Sequence, residues 1–235
     1  MEKMILYNVM TKYLEETGMP IKKTIVISCA GRGTRLGINK TKALVDIDGK
    51  PIIIRQLEML KDYDDIRIVV GYQKEMLIET VKAFREDVTF LENKNYENTG
   101  TASSFSIGIQ NAEELVVSLD GDLLVHPDDL KRILESDKEC VCGAIPYTED
   151  PILMQTKKMD GKIYGIGFSK DKGEYEWTGL TQVRGERLSP GVGHVCDMLV
   201  PILPMEMELI RTREVDTPRD YENAVKWVKN GYKEN

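Results

Sequence analysis

Two apolar patterns alternate along the first half of the chain. Short runs of β-branched and aliphatic residues predict buried strands, at 24–28, 66–70, 87–91 and 115–119. Between these runs, apolar residues recur every three or four positions and predict helices, at 51–60, 73–84, 101–112 and 127–134. Strands that alternate with helices favour an α/β fold, here a Rossmann-like, mixed and mostly parallel sheet with helices on both faces.

The pattern changes in the second half of the chain, where strands are predicted at 139–146, 162–169 and 206–215. A final helix is well marked, because Thr217 is suited to cap it, Pro218 to occupy its first position and Asp220 to complete a capping box. The predicted apolar face of this helix holds Tyr221, Ala224, Val225 and Val228.

The N-terminal residues form a segment of their own. Residues 1–18 carry apolar side chains at helical spacing. We interpret residues 1–22 as an N-terminal helical extension that docks on the domain or contributes to a homodimer contact. Residues 23–235 contain no repeat and no low-complexity linker, so they are predicted to form a single domain.

The composition excludes several classes of protein. The chain has 235 residues, 41% of them hydrophobic, and a net charge of −7, so it lacks the broad basic surface of a duplex-binding protein. No run of about 18 apolar residues predicts a membrane span, and the N-terminus lacks the basic-then-apolar plan of a signal peptide. The four cysteines are interpreted as buried free thiols of a cytoplasmic protein, because no further cysteines or histidines complete a zinc site.

A glycine-rich loop directly follows the first predicted strand. Gly31 and Gly33 lack a Cβ, so they are expected to adopt positive φ, and main-chain amides there can approach phosphate oxygens. Arg35 and Lys42 add positive charge nearby, as polyphosphate binding requires. The spacing fits neither a Walker loop nor the G-x-G-x-x-G dinucleotide motif, since Gly37 falls one residue too late. The predicted nucleotide-binding residues of this loop are Ala30, Gly31, Arg32, Gly33 and Thr34.

Two pairs of acidic residues follow predicted strands. Asp120 and Asp122 come after the fourth strand, and Glu214 and Asp216 precede the last helix. Side chains at i and i+2 of an extended chain project to one side, and the carboxyl ends of parallel strands border the ligand crevice of an α/β sheet. Carboxylates at that edge predict a site for Mg²⁺. The alternative for each pair is a solvated acidic turn.

Residues 26–60 resemble the N-terminal signature of the nucleotidyltransferases that activate sugar phosphates and phospho-alcohols. That signature reads A-A-G-x-G-T-R-[LM], then P-K-x-L, then G-K-P-[ILM]. This chain has C-A-G-R-G-T-R-L from Cys29, T-K-A-L from Thr41 and G-K-P-I from Gly49. It departs from the signature at two positions, with Cys29 in place of alanine and Thr41 in place of proline, and both departures leave the charged residues in place.

The resemblance implies the nucleotide-diphospho-sugar transferase fold and assigns roles to individual residues. Arg35 and Lys42 would be the catalytic cations that neutralise the triphosphate. Asp122 would bind Mg²⁺ together with Asp216, whose segment E-V-D-T-P-R-D-Y matches the families' E-[IV]-D-[TS]-x-x-D-[YL]. Asp120 is grouped with the nucleotide-binding residues.

The segment 95–101, N-Y-E-N-T-G-T, points to the nucleoside. It resembles the corresponding segment of the bacterial phosphocholine and aminoethylphosphonate cytidylyltransferases. Asparagine side chains can pair with the edge of a pyrimidine, and Thr101 is suited to cap the following helix. We therefore assign Asn95, Asn98, Gly100 and Thr101 to nucleotide binding, the alternative being a polar loop without a ligand.

The acceptor is expected to bind within residues 145–200. Trp177, Thr178 and Gly179 resemble the T-G-[IL] strand that lies beside the acceptor in these families. Glu174 and Glu176, with Trp177, are suited to a cationic head group through charge and cation–π contact. A packed tryptophan between solvated acids is the alternative, and nothing in this segment specifies a sugar.

The sequence therefore predicts an Mg²⁺-dependent nucleotidyltransferase that binds a nucleoside triphosphate, CTP being favoured, and a small phosphorylated acceptor such as phosphocholine or aminoethylphosphonate. No nucleic acid or membrane partner is expected. Three alternatives stay open: a sugar-1-phosphate uridylyl- or guanylyltransferase, a metal-dependent glycosyltransferase that uses Asp120-Gly-Asp122, and an inactive nucleotide-binding regulator. The glycosyltransferase would not need the loop that bears Arg35.

Overall fold

The computed structural model describes residues 21–38 and 40–233. The predicted extension at 1–22 lies outside these residues except for its last two positions, so the extension and the homodimer contact remain predictions. The strands are β1 (Lys23–Ser28), β2 (Asp46–Ile47), β3 (Lys50–Pro51), β4 (Asp65–Val70), β5 (Thr89–Glu92), β6 (Leu115–Asp120), β7 (Leu123–Val125), β8 (Cys140–Ala144), β9 (Leu153–Met159), β10 (Lys162–Ser169), β11 (Tyr175–Arg184), β12 (Met205–Leu209) and β13 (Thr212–Glu214). The α-helices are α1 (Ile52–Met59), α2 (Lys74–Lys82), α3 (Thr101–Gly108), α4 (Pro127–Glu135), α5 (Val195–Leu199) and α6 (Pro218–Lys229).

Nine of these strands form one mixed sheet in the order β5-β4-β1-β6-β11-β8-β12-β10-β9, and β9 also pairs with β11. The first four strands are parallel. β11 then runs antiparallel to both β6 and β8. The predicted α/β fold with a mixed sheet is confirmed, with the parallel pairing concentrated in the first half of the chain and the antiparallel pairing in the second.

Helices cover both faces of the sheet, as predicted, and β1 shows why. Ile25 and Ile27 of β1 belong to one buried cluster, which contains the apolar side chains of α1, α2 and α4. Val26, which points to the opposite face, belongs to a second cluster with α3 and α5. A third cluster packs Ala224 and Trp227 of α6 beneath the glycine-rich loop.

The second half of the chain departs from the sequence prediction in four places. The strand predicted at 206–215 is two strands, because the Arg211 amide donates to Asp129 Oδ2 at 2.9 Å and the chain leaves β8 to pair with β7. β9 and α5 were not predicted. On α6 Thr217 and Asp220 form the expected capping box, but Tyr221 is exposed.

Helix α3 ends four residues before the predicted limit. Arg67 donates to the carbonyl oxygens of Gly108 and Gln110 at 2.9 and 2.7 Å. It thereby satisfies carbonyl groups at the C-terminal end of α3. All four cysteines are free and buried, as expected. No helix within residues 21–38 and 40–233 is long and apolar enough to cross a membrane. The cytoplasmic location remains a prediction.

Candidate active site

A cleft of about 790 Å³ opens where the sheet changes from parallel to antiparallel. Ser28 and Asp120 are paired residues at the carboxyl ends of the neighbouring strands β1 and β6, and both line this cleft. Such a position is the expected ligand crevice of an α/β sheet. Its walls come from the glycine-rich loop, from 120–122, from 148–152, from 176–179 and from the start of α6.

The glycine-rich loop is shaped by Gly33 rather than by both of its first glycines. Gly33 has φ +60°, and a Cβ at this position would lie 2.5 Å from Lys42 Cγ. Glycine therefore makes room for the aliphatic stem of Lys42 to cross the loop. Gly31 has no positive φ, and a Cβ there would enter open space at the cleft. The expectation that both glycines adopt positive φ is thus met by Gly33 alone.

The predicted catalytic cations contact the predicted metal ligands. Lys42 Nζ lies 2.7 Å from Asp122 Oδ2 and also donates a short hydrogen bond to Asp216 Oδ1. Arg35 Nη1 lies 2.6 Å from the other oxygen of Asp216. Burial lowers the pKa of Lys42, but the two carboxylates outweigh it and the net shift is upward, so Lys42 is charged.

Glu214 adds a third carboxylate to this group. Oxygens of Asp122, Glu214 and Asp216 lie within 4.8 Å of one another. Burial and the charge of Asp122 raise the pKa of Glu214, against the opposing effect of Lys42. Crowded carboxylates that already surround an ammonium group are a donor set suited to a hard divalent cation such as Mg²⁺. The i, i+2 spacing of Glu214 and Asp216 had pointed to this arrangement, although only Asp216 was assigned to the metal.

Asp120 lies beside β11, the strand that is predicted to contact the acceptor. The pairing of β11 with β8 shifts register between Trp177 and Thr181, which marks a bulge. Within the bulge, Gly179 has φ +79°, and a Cβ there would clash with Asp120 Oδ2. Burial raises the pKa of Asp120 to about 8, with Asp122 adding to the shift and Lys42 opposing it. A glycine at 179 is therefore needed for the two strands to meet at the base of the cleft.

The predicted nucleoside residues are only partly brought to the cleft. Thr101 lines it, and its Oγ1 accepts from the Val195 amide at 3.2 Å. Asn98 Nδ2 donates to Asn95 Oδ1 at 2.9 Å, and neither asparagine lies among the cleft-lining residues. Gly100 is covered, because its amide donates to a carbonyl oxygen of the 190–194 loop at 2.8 Å. The expected side-chain cap of α3 by Thr101 does not form, since Gly100 is the N-cap residue.

Two residues of the glycine-rich loop also point away from the cleft. Arg32 pairs with Glu97 at 3.0 Å and lies 5.3 Å from the centre of the Tyr72 ring. Ala30 is buried, and its carbonyl oxygen accepts from the Tyr72 amide at 3.0 Å. By contrast, Gly31, Gly33, Thr34 and Arg35 line the cleft as predicted.

Trp177, Thr178 and Gly179, for which acceptor contact remains a prediction, line the opposite wall of the cleft. Trp177 is only 8% exposed and meets Phe168 edge to face, with ring centres 5.4 Å apart. Glu176 is buried and accepts from the Tyr147 amide at 2.9 Å, so its carboxylate is committed to the protein. Glu174 accepts from Thr156 and is exposed. Neither acid is placed to receive a head group in the way that the sequence suggested.

Sequence reasoning missed several residues of the cleft. Those with charged or polar side chains are Thr148, Glu149, Asp150, Lys170 and Asp220. Asp220 was recognised only as part of a capping box, and residues 148–150 follow a strand without matching any motif. His194 also lines the cleft. Acidic side chains outnumber basic ones along the described walls, so a bound cation would be favoured there.

Comparison with known proteins identifies the family. Residues 25–177, more than half of the chain, match the MobA-like NTP transferase domain. The bifunctional protein GlmU of Aliarcobacter butzleri is 35% identical over 115 residues, which cover 47% of this chain and 26% of GlmU. The chain therefore spans only about a quarter of the length of that relative.

Solved structures share the fold at low sequence identity. The CTP:phosphocholine cytidylyltransferase LicC from Streptococcus pneumoniae superposes with a TM-score of 0.69 at 22% identity, covering 88% of this chain and 100% of LicC. The inositol-1-phosphate CTP transferase from T. maritima gives a TM-score of 0.67 at 19% identity, covering 91% and 99%. These likenesses confirm the predicted fold, and the family match confirms the predicted family. The chain belongs to the MobA-like NTP transferase domain family of nucleotidyltransferases.

Proposed function

We propose that this protein transfers a nucleoside monophosphate, with CMP from CTP favoured, to a small phosphorylated alcohol or a phosphonate. An oxygen of the acceptor phosphate or phosphonate attacks the α-phosphorus. The bond from that phosphorus to the bridging oxygen breaks, and pyrophosphate leaves with the electron pair. The reaction is a single displacement and needs no covalent intermediate on the enzyme.

The observation that carries this proposal is the convergence of Arg35, Lys42, Asp122 and Asp216 in one cleft beside a glycine-rich loop. Loop amides and two cations are suited to bind the three phosphates. Asp122, Glu214 and Asp216 would hold a divalent metal ion, Mg²⁺ in our proposal. When bound, Mg²⁺ would supply the positive charge that offsets the triphosphate in this acidic cleft.

The residues of this chain act by binding and orientation. Lys42 and Arg35 exchange their carboxylate partners for phosphate oxygens and neutralise the charge that develops as pyrophosphate leaves. Gly179 allows β11 to pack against Asp120 at the base of the cleft, and Thr178 lines the same wall. Holding donor and acceptor in line in this way supplies a large share of the rate.

The choice of CTP rests on the N-Y-E-N-T-G-T segment and on the named activities of two proteins of similar fold, LicC and the T. maritima enzyme. The acidic walls support an acceptor with a cationic head group such as phosphocholine or aminoethylphosphonate. Trp177, Thr178 and Gly179, within the predicted acceptor portion 145–200, would contact that acceptor.

A sugar 1-phosphate acceptor with UTP or GTP is the second candidate, and the 35% identity to GlmU favours it. A glycosyltransferase that uses Asp120-Gly-Asp122 fits less well, because it has no need for the Arg35 and Lys42 contacts. An inactive regulator would not require the complete set of charged residues.

Pyrophosphate release tests the proposal. CTP, UTP, GTP, ATP and dTTP are each combined with phosphocholine, aminoethylphosphonate, glucose 1-phosphate and N-acetylglucosamine 1-phosphate, with and without MgCl₂. We expect the highest turnover with CTP and one of the first two acceptors, and a loss of at least about 100-fold in Asp216→Asn. Glu208→Gln, a change at a surface ion pair with Arg132, is the matched control. Preference for UTP or GTP with a sugar phosphate would overturn the choice of substrate, and wild-type turnover by Asp216→Asn would overturn the mechanism.

A further inference from the structure

The loop between β8 and β9 is fastened to both walls of the cleft. It contributes Thr148, Glu149 and Asp150 to the lining, on the acceptor side. The sequence pattern gave this loop no role. Tyr147, which is not itself among the cleft-lining residues, takes part in an attachment to each wall.

The first attachment joins Tyr147 to the metal side. The Tyr147 hydroxyl oxygen accepts a short hydrogen bond from the Glu214 amide. Glu214 ends β13, and two residues later the chain places Asp216 against Lys42 and Arg35. The phenol thus satisfies a main-chain donor at the start of the segment that carries two of the three clustered carboxylates.

The phenol ring is itself held in place. Its face meets the Arg213 guanidinium at 5.3 Å, and that guanidinium lies 4.9 Å from the ring centre of Trp227 on α6. Burial raises the pKa of Tyr147, so the hydroxyl stays neutral across the working range of pH. The hydrogen bond from the Glu214 amide to the Tyr147 hydroxyl is therefore retained over this range of pH.

The second attachment joins the same loop to the acceptor strand. The Glu176 carboxylate on β11, which is 4% exposed, accepts from the amides of Tyr147 and Thr148 at 2.9 and 3.3 Å. The Thr148 hydroxyl donates a further short bond to it. A buried carboxylate with three donors is a rigid anchor, because losing any donor leaves charge unsatisfied.

We propose that Tyr147 is a positioning residue that couples the acceptor-side loop to the segment carrying Glu214 and Asp216. This inference rests on the proposed function. When an acceptor presses on residues 148–150, the buried route to the clustered carboxylates is the Tyr147 hydroxyl. Arg219 of α6 adds a more exposed contact with the same loop, at Glu149 and at the Tyr147 carbonyl oxygen. Removing that hydroxyl leaves the Glu214 amide without its acceptor and frees the carboxylate segment to shift.

The variant Tyr147→Phe tests the proposal, because it retains the ring against Arg213 and deletes one oxygen. Tyr232→Phe, in the aromatic cluster of α6 outside the cleft lining, is the matched control. Three quantities are measured: kcat, the KM values for nucleotide and acceptor, and Mn²⁺ affinity by electron paramagnetic resonance with CTP present and no acceptor. We expect Tyr147→Phe to lower kcat about 10-fold and to weaken Mn²⁺ about 5-fold, with the KM for nucleotide unchanged. The control should match wild type.

A second variant separates coupling from a loss of folding. Glu176→Gln replaces one accepting oxygen of the other anchor and should raise the KM for acceptor while leaving Mn²⁺ affinity near the wild-type value. If Tyr147→Phe retains the wild-type Mn²⁺ affinity and kcat, the proposal is overturned. A lower melting temperature that accompanies these unchanged values would show that the hydroxyl serves stability alone. If wild-type protein releases no pyrophosphate with any substrate pair, the proposed function fails, while the Mn²⁺ measurement still decides whether Tyr147 positions the carboxylates.

Discussion

Replacing Lys42 with methionine should turn the carboxylate cluster into a metal site that needs no nucleotide. Methionine keeps an aliphatic stem over Gly33 and removes the charge between Asp122 and Asp216. Removing one partner of a buried ion pair costs about 3–5 kcal/mol. We expect the lower end, about 3 kcal/mol, because Arg35 still pairs with Asp216. For a chain of this size that corresponds to a fall in Tm of about 6–12 °C.

The assay is thermal unfolding during titration with MgCl₂ or MnCl₂, without nucleotide and at constant ionic strength. In wild type the metal must displace a charged ammonium, so the shift in Tm should be small. In Lys42→Met the carboxylates are free to bind, and at 100 times the dissociation constant the ion restores about 2.7 kcal/mol. Lys42→Met combined with Asp216→Asn should lose this response. Equal metal responses in wild type and Lys42→Met, or an unchanged Tm in the absence of metal, would refute the reasoning.

Three further predictions concern the fold around the site. Gly179→Ala and Gly161→Ala both place a side chain at positive φ, and each should lower the free energy of unfolding by about 1–2 kcal/mol. Only Gly179→Ala should abolish pyrophosphate release, because only the Cβ at position 179 collides with Asp120. Asp65→Asn should destabilise the protein to urea by about 1 kcal/mol at pH 7, and its difference from wild type should shrink as the pH falls through the folded pKa of Asp65. Burial raises that pKa, but the arginine and threonine hydrogen bonds lower it overall, so the contribution of Asp65 is fully present only above its unfolded pKa. A thiol reagent at pH 8 should modify the four buried cysteines only on unfolding, because burial shields them from the reagent and also raises the pKa of Cys196 to about 12. Rapid labelling of the native protein would contradict this.

The first half of the fold could be predicted from the sequence because its elements follow from local pattern. Strands such as β1 and β6 are buried on both faces and read as continuous apolar runs. β9 could not be predicted in this way, since of its seven residues only Met154 is buried and its pattern is mainly polar. The break between β12 and β13 depends on the distant Asp129, which no local pattern reveals.

The same contrast holds for the site. Arg35, Lys42, Asp122 and Asp216 could be found because each belongs to a short motif, and they meet in the folded protein. The commitment of Glu176 to a loop 29 residues earlier in the chain has no local signature. Side-chain partners that come from remote segments are set by tertiary packing. Sequence spacing alone therefore does not distinguish a Glu176 that binds a cationic ligand from a Glu176 that accepts hydrogen bonds from the main chain.

The boundary between β6 and β11 also limits how the protein can diverge. Strand pairing there uses main-chain hydrogen bonds, so most side chains on the wall formed by β11 are free to be substituted while the half that carries the glycine-rich loop is retained. Selection for a new acceptor can thus act on one side of the boundary and leave the other unaltered. The contact of Gly179 with Asp120 is an exception, because no larger residue fits at 179 while the aspartate stays in place. Among homologues that exchange acceptors, we therefore expect these two positions to change together or not at all.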